Sequence, residues 1–249
     1  YEDLNRQRLY LLNLETSEIR SAVPEGSDLY EFEPVEYVDY GWSSDGVLWA
    51  IAKKQGRSHI FVDNKFVGLE SGFISSATLH GEYAYVVHSS LKTPPRIVAI
   101  NSKSREIRVI VSEWLSEDVI QRFGSVKFAE TTSHDGVTVP IFILESKLAG
   151  RPGPVVVYPH GGPWSEVADS WSPIIASLAA LGYHVVAPNF RGSTGYGEKF
   201  RRMNIGDPGG GDVEDVAIAA KYVIESGLAE SGRVAIVGYS YGGYMVLMQ

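Results

Sequence analysis

Gly238-Tyr239-Ser240-Tyr241-Gly242 constrains this chain more than any other stretch, because of what stands on either side of it. The run Arg233-Val234-Ala235-Ile236-Val237 precedes it as a strand would, and Tyr244-Met245-Val246-Leu247-Met248 follows with the character of a helix. A serine between glycines at a strand-to-helix junction sits on so sharp a turn that a Cβ at either flank would meet neighbouring backbone. The hydroxyl is lifted clear of the sheet edge, and the free N–H groups opening the helix favour negative charge beside it. A glycine-rich turn with an incidental serine is the competing reading; the strand, the helix and the additional Gly243 tell against it. Ser240 is therefore the candidate nucleophile, on the sheet of an α/β-hydrolase.

The preceding residues supply such a sheet. From Ser125 onward, helix-length segments alternate with compact β-runs. Val126 to Thr132 and Val137 to Leu144 flank His134-Asp135-Gly136 and read as a hairpin, and Pro154 to Pro159 is apolar enough for a buried central strand. Helical spacing runs from Trp171 to Leu181, and Tyr183 to Pro188 is the next strand. A helix is expected from Asp212 to Ser226, with Val213, Val216, Ala217 and Ala220 on one face. These elements make residues 124–249 the first part of a catalytic domain that stops soon after the nucleophile.

Residues 1–123 have a different period. Short β-runs at Arg8 to Leu14, Gly46 to Ala52, His59 to Asp63, Tyr83 to His88 and Arg96 to Ile100 are separated by turns such as Ser43-Ser44-Asp45, Gln55-Gly56-Arg57 and Thr93-Pro94-Pro95. An all-β sandwich and a repeat architecture such as a propeller both fit, with a spacing compatible with blades of about 40 to 50 residues.

Composition narrows the partners. The net charge of −8 is interspersed, without the Lys and Arg block a phosphate-backbone binder needs, so nucleic acid is not an expected partner. With no cysteine there is no thiol nucleophile, disulfide or zinc–thiolate site, which suits a reducing compartment. The start Tyr1-Glu2-Asp3-Leu4-Asn5-Arg6 lacks a signal's basic and apolar regions, and no apolar stretch reaches the ~18 residues of a membrane span. A cytoplasmic protein that does not bind membranes is expected. An opening Tyr1 and an uncapped final run at Gln249 suggest a piece of a longer chain.

His160-Gly161-Gly162-Pro163 follows the central strand, where this fold builds the second wall of its oxyanion hole. The two expected donors are the Tyr241 N–H and the Gly162 N–H, with Gly161 as the alternative to Gly162; an ordinary tight turn is the bland reading of the loop. His160 precedes the nucleophile, whereas the chain order in this fold is Ser, acid, His, so it reads as a loop-shaping residue rather than the base. His184 reads as a satisfied core-edge histidine, and no histidine has a companion at metal-ligand spacing. The glycine-rich stretch Asn189 to Gly197 lacks both phosphate-loop spacings. Arg191 within it either pairs with an acid such as Asp212 or Glu214 or meets substrate, while Asp207, Asp212, Glu214 and Asp215 read as loop and helix-start charges.

Together, His160-Gly161-Gly162-Pro163, Asn189-Phe190-Arg191-Gly192-Ser193-Thr194-Gly195-Tyr196-Gly197 and Gly238-Tyr239-Ser240-Tyr241-Gly242-Gly243-Tyr244 resemble the prolyl oligopeptidase family, in particular its acylaminoacyl-peptidase branch. The resemblance is specific over Ser125 to Gln249 and rests only on β-repeat character before that. It implies that residues 1–123 are the last blades of a β-propeller. It also implies a serine peptidase acting on short peptides, with Ser240 as nucleophile and Tyr241 and a glycine of the His160 loop as oxyanion donors. The acid and histidine are then expected beyond Gln249, leaving these 249 residues inactive by themselves. No cofactor is required, and a homo-oligomer is left open. A carboxylesterase on the same fold and a catalytically silent binding or scaffold protein remain the alternatives.

Overall fold

The computed structural model describes residues 6–112 and 114–249. Its described residues divide into two compact units. One lies within Tyr1–His88 and Pro95–Ser112; the other comprises Ser89–Pro94 and residues within Glu113–Gln249.

The first unit opens with a two-stranded pair, β1 (Tyr10–Leu12) and β2 (Ile19–Ser21), followed by the short helix α1 (Asp28–Phe32). Next come two four-stranded antiparallel meanders of the kind that form propeller blades. The first runs β3 (Glu36–Trp42), β4 (Leu48–Lys54), β5 (Arg57–Val62) and β6 (Lys65–Phe66); the second runs β7 (Phe73–His80), β8 (Tyr83–Ser90), β9 (Thr93–Asn101) and β10 (Ile107–Val111). Alternating residues make one face apolar. Ile51, Ile60 and Val62 of the first meander share a buried cluster with Ile74, Ala84, Val86, Val98 and Ile100 of the second. The expected turn at Thr93-Pro94-Pro95 lies earlier, at Leu91-Lys92, and both prolines are part of β9. A proline pair reads as punctuation in the sequence, but proline is compatible with a strand where its missing N–H breaks no ladder bond.

The second unit begins with the short helix α2 (Glu117–Ile120), then β11 (Phe123–Thr132) and β12 (Thr138–Ser146), the expected hairpin, closed by Gly136 N–H to Ser133 O. Thereafter β13 (Gly153–Val157), α3 (Pro173–Ala180), β14 (His184–Pro188), α4 (Glu198–Arg201), α5 (Gly211–Glu225), β15 (Ala229–Ile236) and α6 (Tyr241–Met248) follow. The sheet order is β11-β12-β14-β13-β15, antiparallel across its first three strands and parallel from β14 to β15. Both faces are covered. Val139, Ile141 and Ile143 of β12 pack with Val213, Val216, Ala219 and Val223 of α5, while Phe142 and Leu144, pointing the other way, pack with Ile175, Ala176 and Ala179 of α3. The buried stripe of α5 is Asp212, Val213, Asp215, Val216, Ala219 and Val223; Ala217 and Ala220 lie beside it, half-buried.

Parallel register sets the site. Val157 pairs with Val186 on one side and with Ile236 on the other, so three strands end at the same height. The loops starting at His160, Asn189 and Gly238 therefore leave from one edge of the sheet.

Candidate active site

Ser240 lies between β15 and α6 with φ 56° and ψ −123°, a conformation that costs a non-glycine residue on the order of 1 to 3 kcal/mol. The neighbouring glycines allow it. A Cβ on Gly238 would stand 2.2 Å from Gly242 O, and one on Gly242 would stand 2.2 Å from Pro159 O. Both flanks of the serine thus need glycine, as the sequence argument required. Ser240 is exposed, and its side chain has no hydrogen bond to any described residue.

The His160 loop lies directly against it. A Cβ on Gly161 would be 3.4 Å from Ser240 Cβ and 3.4 Å from Tyr239 O. Gly162 takes φ 139°, a value that favours glycine, before a cis bond to Pro163. Among the described residues, neither the Gly162 N–H nor the Tyr241 N–H donates a hydrogen bond. Tyr241 is the first residue of its helix, where an N–H has no partner one turn back. Gly161 N–H is equally unpaired, so the alternative donor stays available.

His160 is buried and turned away from the nucleophile. Its Nδ1 meets Gly161 O at 2.7 Å, its Nε2 meets Ser193 Oγ at 2.9 Å, and its ring stacks on Phe190 with centroids 4.3 Å apart. Burial pushes its pKa down to about 4, against a smaller upward effect of the Gly161 carbonyl, so it is neutral at pH 7. The neutral ring carries one proton, and Ser193, which stands 2.9 Å from Nε2, donates its own hydroxyl proton to Phe190 O at 2.6 Å. His184 likewise has a structural role: Nδ1 accepts from Ser146 N–H and Nε2 donates to Gly150 O.

The 189–197 loop holds the oxyanion loop. Asn189, fully buried, accepts from Val167 N–H at 2.7 Å and donates to Val167 O and to Tyr196 Oη. Thr194 N–H donates to Ser165 O. Arg191 does pair with acids, but with others than expected: Asp215 and Asp135 in place of Asp212 or Glu214. Helical geometry excludes Glu214, and Asp212 is taken by the Tyr241 hydroxyl. Asp215 lies in the buried stripe of α5, whereas Glu214 is on its exposed side. These partners raise the guanidinium pKa further, and Arg191 holds the Asp135 carboxyl well below the usual carboxylate range. Asp212 is also buried and bonds to the Tyr241 hydroxyl at 2.5 Å.

From the sequence alone, both aspartates read as helix-start charges. Their placement three apart, in register with Val216 and Ala219, is the signal that could have marked them as inward-facing. No group of three or more His, Cys, Asp or Glu among the described residues could hold a metal ion, and no helix among them is long and apolar enough to cross a membrane.

Known proteins resemble this chain in sequence and in fold. Residues 169–249 match the prolyl oligopeptidase family, and residues 1–98 match the N-terminal domain of acylamino-acid-releasing enzyme-like proteins. Acylamino-acid-releasing enzyme 1 of Oryza sativa subsp. japonica is 40% identical over 114 residues, which are 45% of this chain and 14% of that protein. Dipeptidyl aminopeptidase BIII of Pseudoxanthomonas mexicana is 38% identical over 99 residues, 40% of this chain and 14% of its own length. A crystal structure of puromycin hydrolase, 21% identical, superposes with a TM-score of 0.77 over 98% of this chain and 39% of that one, a likeness of fold. The matched stretches thus span a small part of these relatives.

Proposed function

We propose, for a chain that belongs to the prolyl oligopeptidase family, that it carries the nucleophile and oxyanion hole of a serine peptidase of the acylaminoacyl-peptidase type. The observation that carries this reading is the exposed, strained Ser240 beside N–H groups that have no other partner. In the reaction, Ser240 Oγ attacks the scissile carbonyl and the carbonyl oxygen becomes an oxyanion. The Tyr241 N–H and the Gly162 N–H are the proposed donors to it, one such donor being worth about 3 to 4 kcal/mol of transition-state stabilisation. Collapse expels the amine, and water then releases the acyl group.

The general base is proposed to lie outside these 249 residues. Ser240 Oγ bonds to no described histidine, and His160, the histidine of the adjoining loop, is committed to Gly161 and Ser193. Short peptides are the proposed substrates and a reducing cytoplasm the proposed compartment. The match of residues 1–98 favours acylated over free N-termini, and the absence of cysteine suits that compartment.

A fluorophosphonate applied to the full-length protein tests the site. It should label Ser240, and Ser240→Ala should abolish both label and peptidase activity; label on Ser193 or Ser165 instead would overturn the assignment. N-acetylaminoacyl substrates should be cleaved with higher kcat/KM than free-amine dipeptidyl ones, because an ammonium buried without a carboxylate partner is costly. The reverse preference would place the protein with the dipeptidyl aminopeptidases.

A further inference from the structure

Tyr241 has two ends with different tasks. Its N–H has no partner among the described residues and is the proposed oxyanion donor, while its side chain runs to a buried carboxylate. The hydroxyl donates to Asp212 Oδ2 at 2.5 Å. Asp212 has no exposed surface, and its other oxygen accepts from Gly209 N–H and Val213 N–H, each at 2.9 Å. Asn204 is buried beneath Gly192, where a Cβ would come within 2.7 Å of its amide. On its other side the Tyr241 ring lies 6.1 Å from Phe190, which stacks on His160 of the oxyanion loop.

Tyr241 is the first residue of its helix, so its N–H takes no part in the helical ladder and the ladder does not fix its direction. Few surrounding residues other than glycine meet this turn. Gly238, Gly242 and Gly243 bring no side chains, and Tyr239 is exposed. The side chain of Tyr241 is therefore one anchor at the strained junction, beside the fully buried Met245 one turn on, and its fixed end is on α5 and the segment before it.

We propose that Asp212 is a positioning residue for acyl transfer: through the Tyr241 hydroxyl it fixes the direction of the Tyr241 N–H and so the geometry of the oxyanion hole. The inference rests on the serine-peptidase reading above. It assigns Asp212 no contact with substrate and no proton transfer. Burial and the Asp212 carboxylate both hold the Tyr241 phenol protonated far above neutrality, so the bond is a fixed one across the working pH range.

The test compares Tyr241→Phe, Asp212→Asn and their double variant in the full-length enzyme, with Tyr244→Phe as control. The Tyr244 hydroxyl has a long 3.3 Å bond to Pro208 O. Misplacing one oxyanion donor should lower kcat about 10- to 100-fold while KM stays within about twofold. Affinity for a peptide aldehyde, whose hemiacetal oxygen occupies the hole, should fall by the same factor as kcat/KM. The double variant should be no slower than the worse single one, since both remove one interaction. Tyr244→Phe should change none of these.

Should Asp212→Asn fail to fold, Tyr241→Phe with the aldehyde measurement decides alone. Unchanged kcat in folded Tyr241→Phe, or a loss confined to KM or to thermal stability, overturns the positioning role. If Ser240→Ala retained activity, the peptidase reading itself would fall; if Ser240→Ala were dead and Tyr241→Phe normal, only this inference would.

Discussion

Replacing Arg191 by Met should destabilise the catalytic unit strongly. Asp215 has no exposed surface, and all its hydrogen-bond donors among the described residues belong to Arg191: the backbone N–H at 2.8 Å, Nε at 2.9 Å and Nη2 at 2.8 Å. Arg191→Met keeps the first and removes the other two. The carboxylate is left in a dry site with one donor, and stranding one member of a buried ion pair typically costs about 3 to 5 kcal/mol. For a protein of this size each kcal/mol is roughly 2 to 4 °C, so Tm should fall by about 6 to 20 °C. The second partner behaves differently. The Asp135 side chain is 37% exposed and rehydrates when Arg191 is lost, so Asp135→Asn should shift Tm far less. Thermal unfolding followed by circular dichroism gives both values, together with Arg191→Met/Asp215→Leu, in which apolar side chains replace the pair and most of the loss should be recovered. If Arg191→Met lay within roughly 1 kcal/mol of wild type, as ordinary surface changes do, the buried-pair argument would be refuted. An Asp135→Asn loss equal to that of Arg191→Met would refute it as well.

Alanine at Gly238 or Gly242 should cost about 3 kcal/mol or more in chemical unfolding and remove fluorophosphonate labelling, because each new Cβ would stand 2.2 Å from a backbone oxygen. Gly243→Ala, whose Cβ meets nothing nearer than 3.5 Å, should be neutral or stabilise the helix by up to about 1 kcal/mol; similar behaviour of all three variants would disprove the steric account. His160 makes stability depend on pH with a definite sign. Its folded pKa is pushed down to about 4, below the unfolded value of about 6.5, so the unfolded chain binds the extra proton between them. Its contribution is therefore complete above pH 6.5 and declines as pH falls toward 4, by on the order of 1.4 kcal/mol per pH unit within that window. Urea unfolding at several pH values should show a shallower slope for His160→Gln there, and an unchanged slope would contradict the assigned burial.

The parts of this chain that were legible in the sequence are those fixed by local rules. Gly238 to Gly242 between an apolar strand and a helix specified the turn at Ser240, since only glycine fits where the chain crosses its own backbone. Pro154 to Pro159 was legible as a central strand because both its faces are covered, and the hairpin around His134-Asp135-Gly136 because its turn residues have distinct backbone preferences. What stayed hidden depends on tertiary pairing. Nothing local to Arg191 distinguishes Asp215 from Glu214 or Asp212. Glu214 is excluded because it lies on the exposed side of α5, Asp212 is bonded to the Tyr241 hydroxyl, and Asp135 is reached across 56 residues in the hairpin turn. Asn189 reads as a loop polar residue until Val167 is brought beside it. Strands β3, β7 and β10 escaped notice for a related reason: β10 is exposed at all five positions and β7 at several, so hydrophobic alternation is weak.

The sheet order supplies the link between the two kinds of information. With β13 between β14 and β15, the loop after each of these strands emerges at the same edge, and sequence separations of about 30 and 80 residues reduce to neighbouring strands. The nucleophile, the His160 loop and the 189–197 loop then meet without any of them being near another in the chain. Ser240 is strained, with φ 56°. The surrounding contacts make that strain sustainable: Gly238 and Gly242 closed against backbone, Tyr241 tied to Asp212, His160 stacked on Phe190, and Asn189 clamped to Val167. Most of these anchors lie on α5 or on the loop after β14 rather than on the motif itself. Substitutions at Asp212, Asn189 or Arg191 should therefore act on the geometry around Ser240 from a distance, while leaving every residue of Gly238 to Gly242 in place.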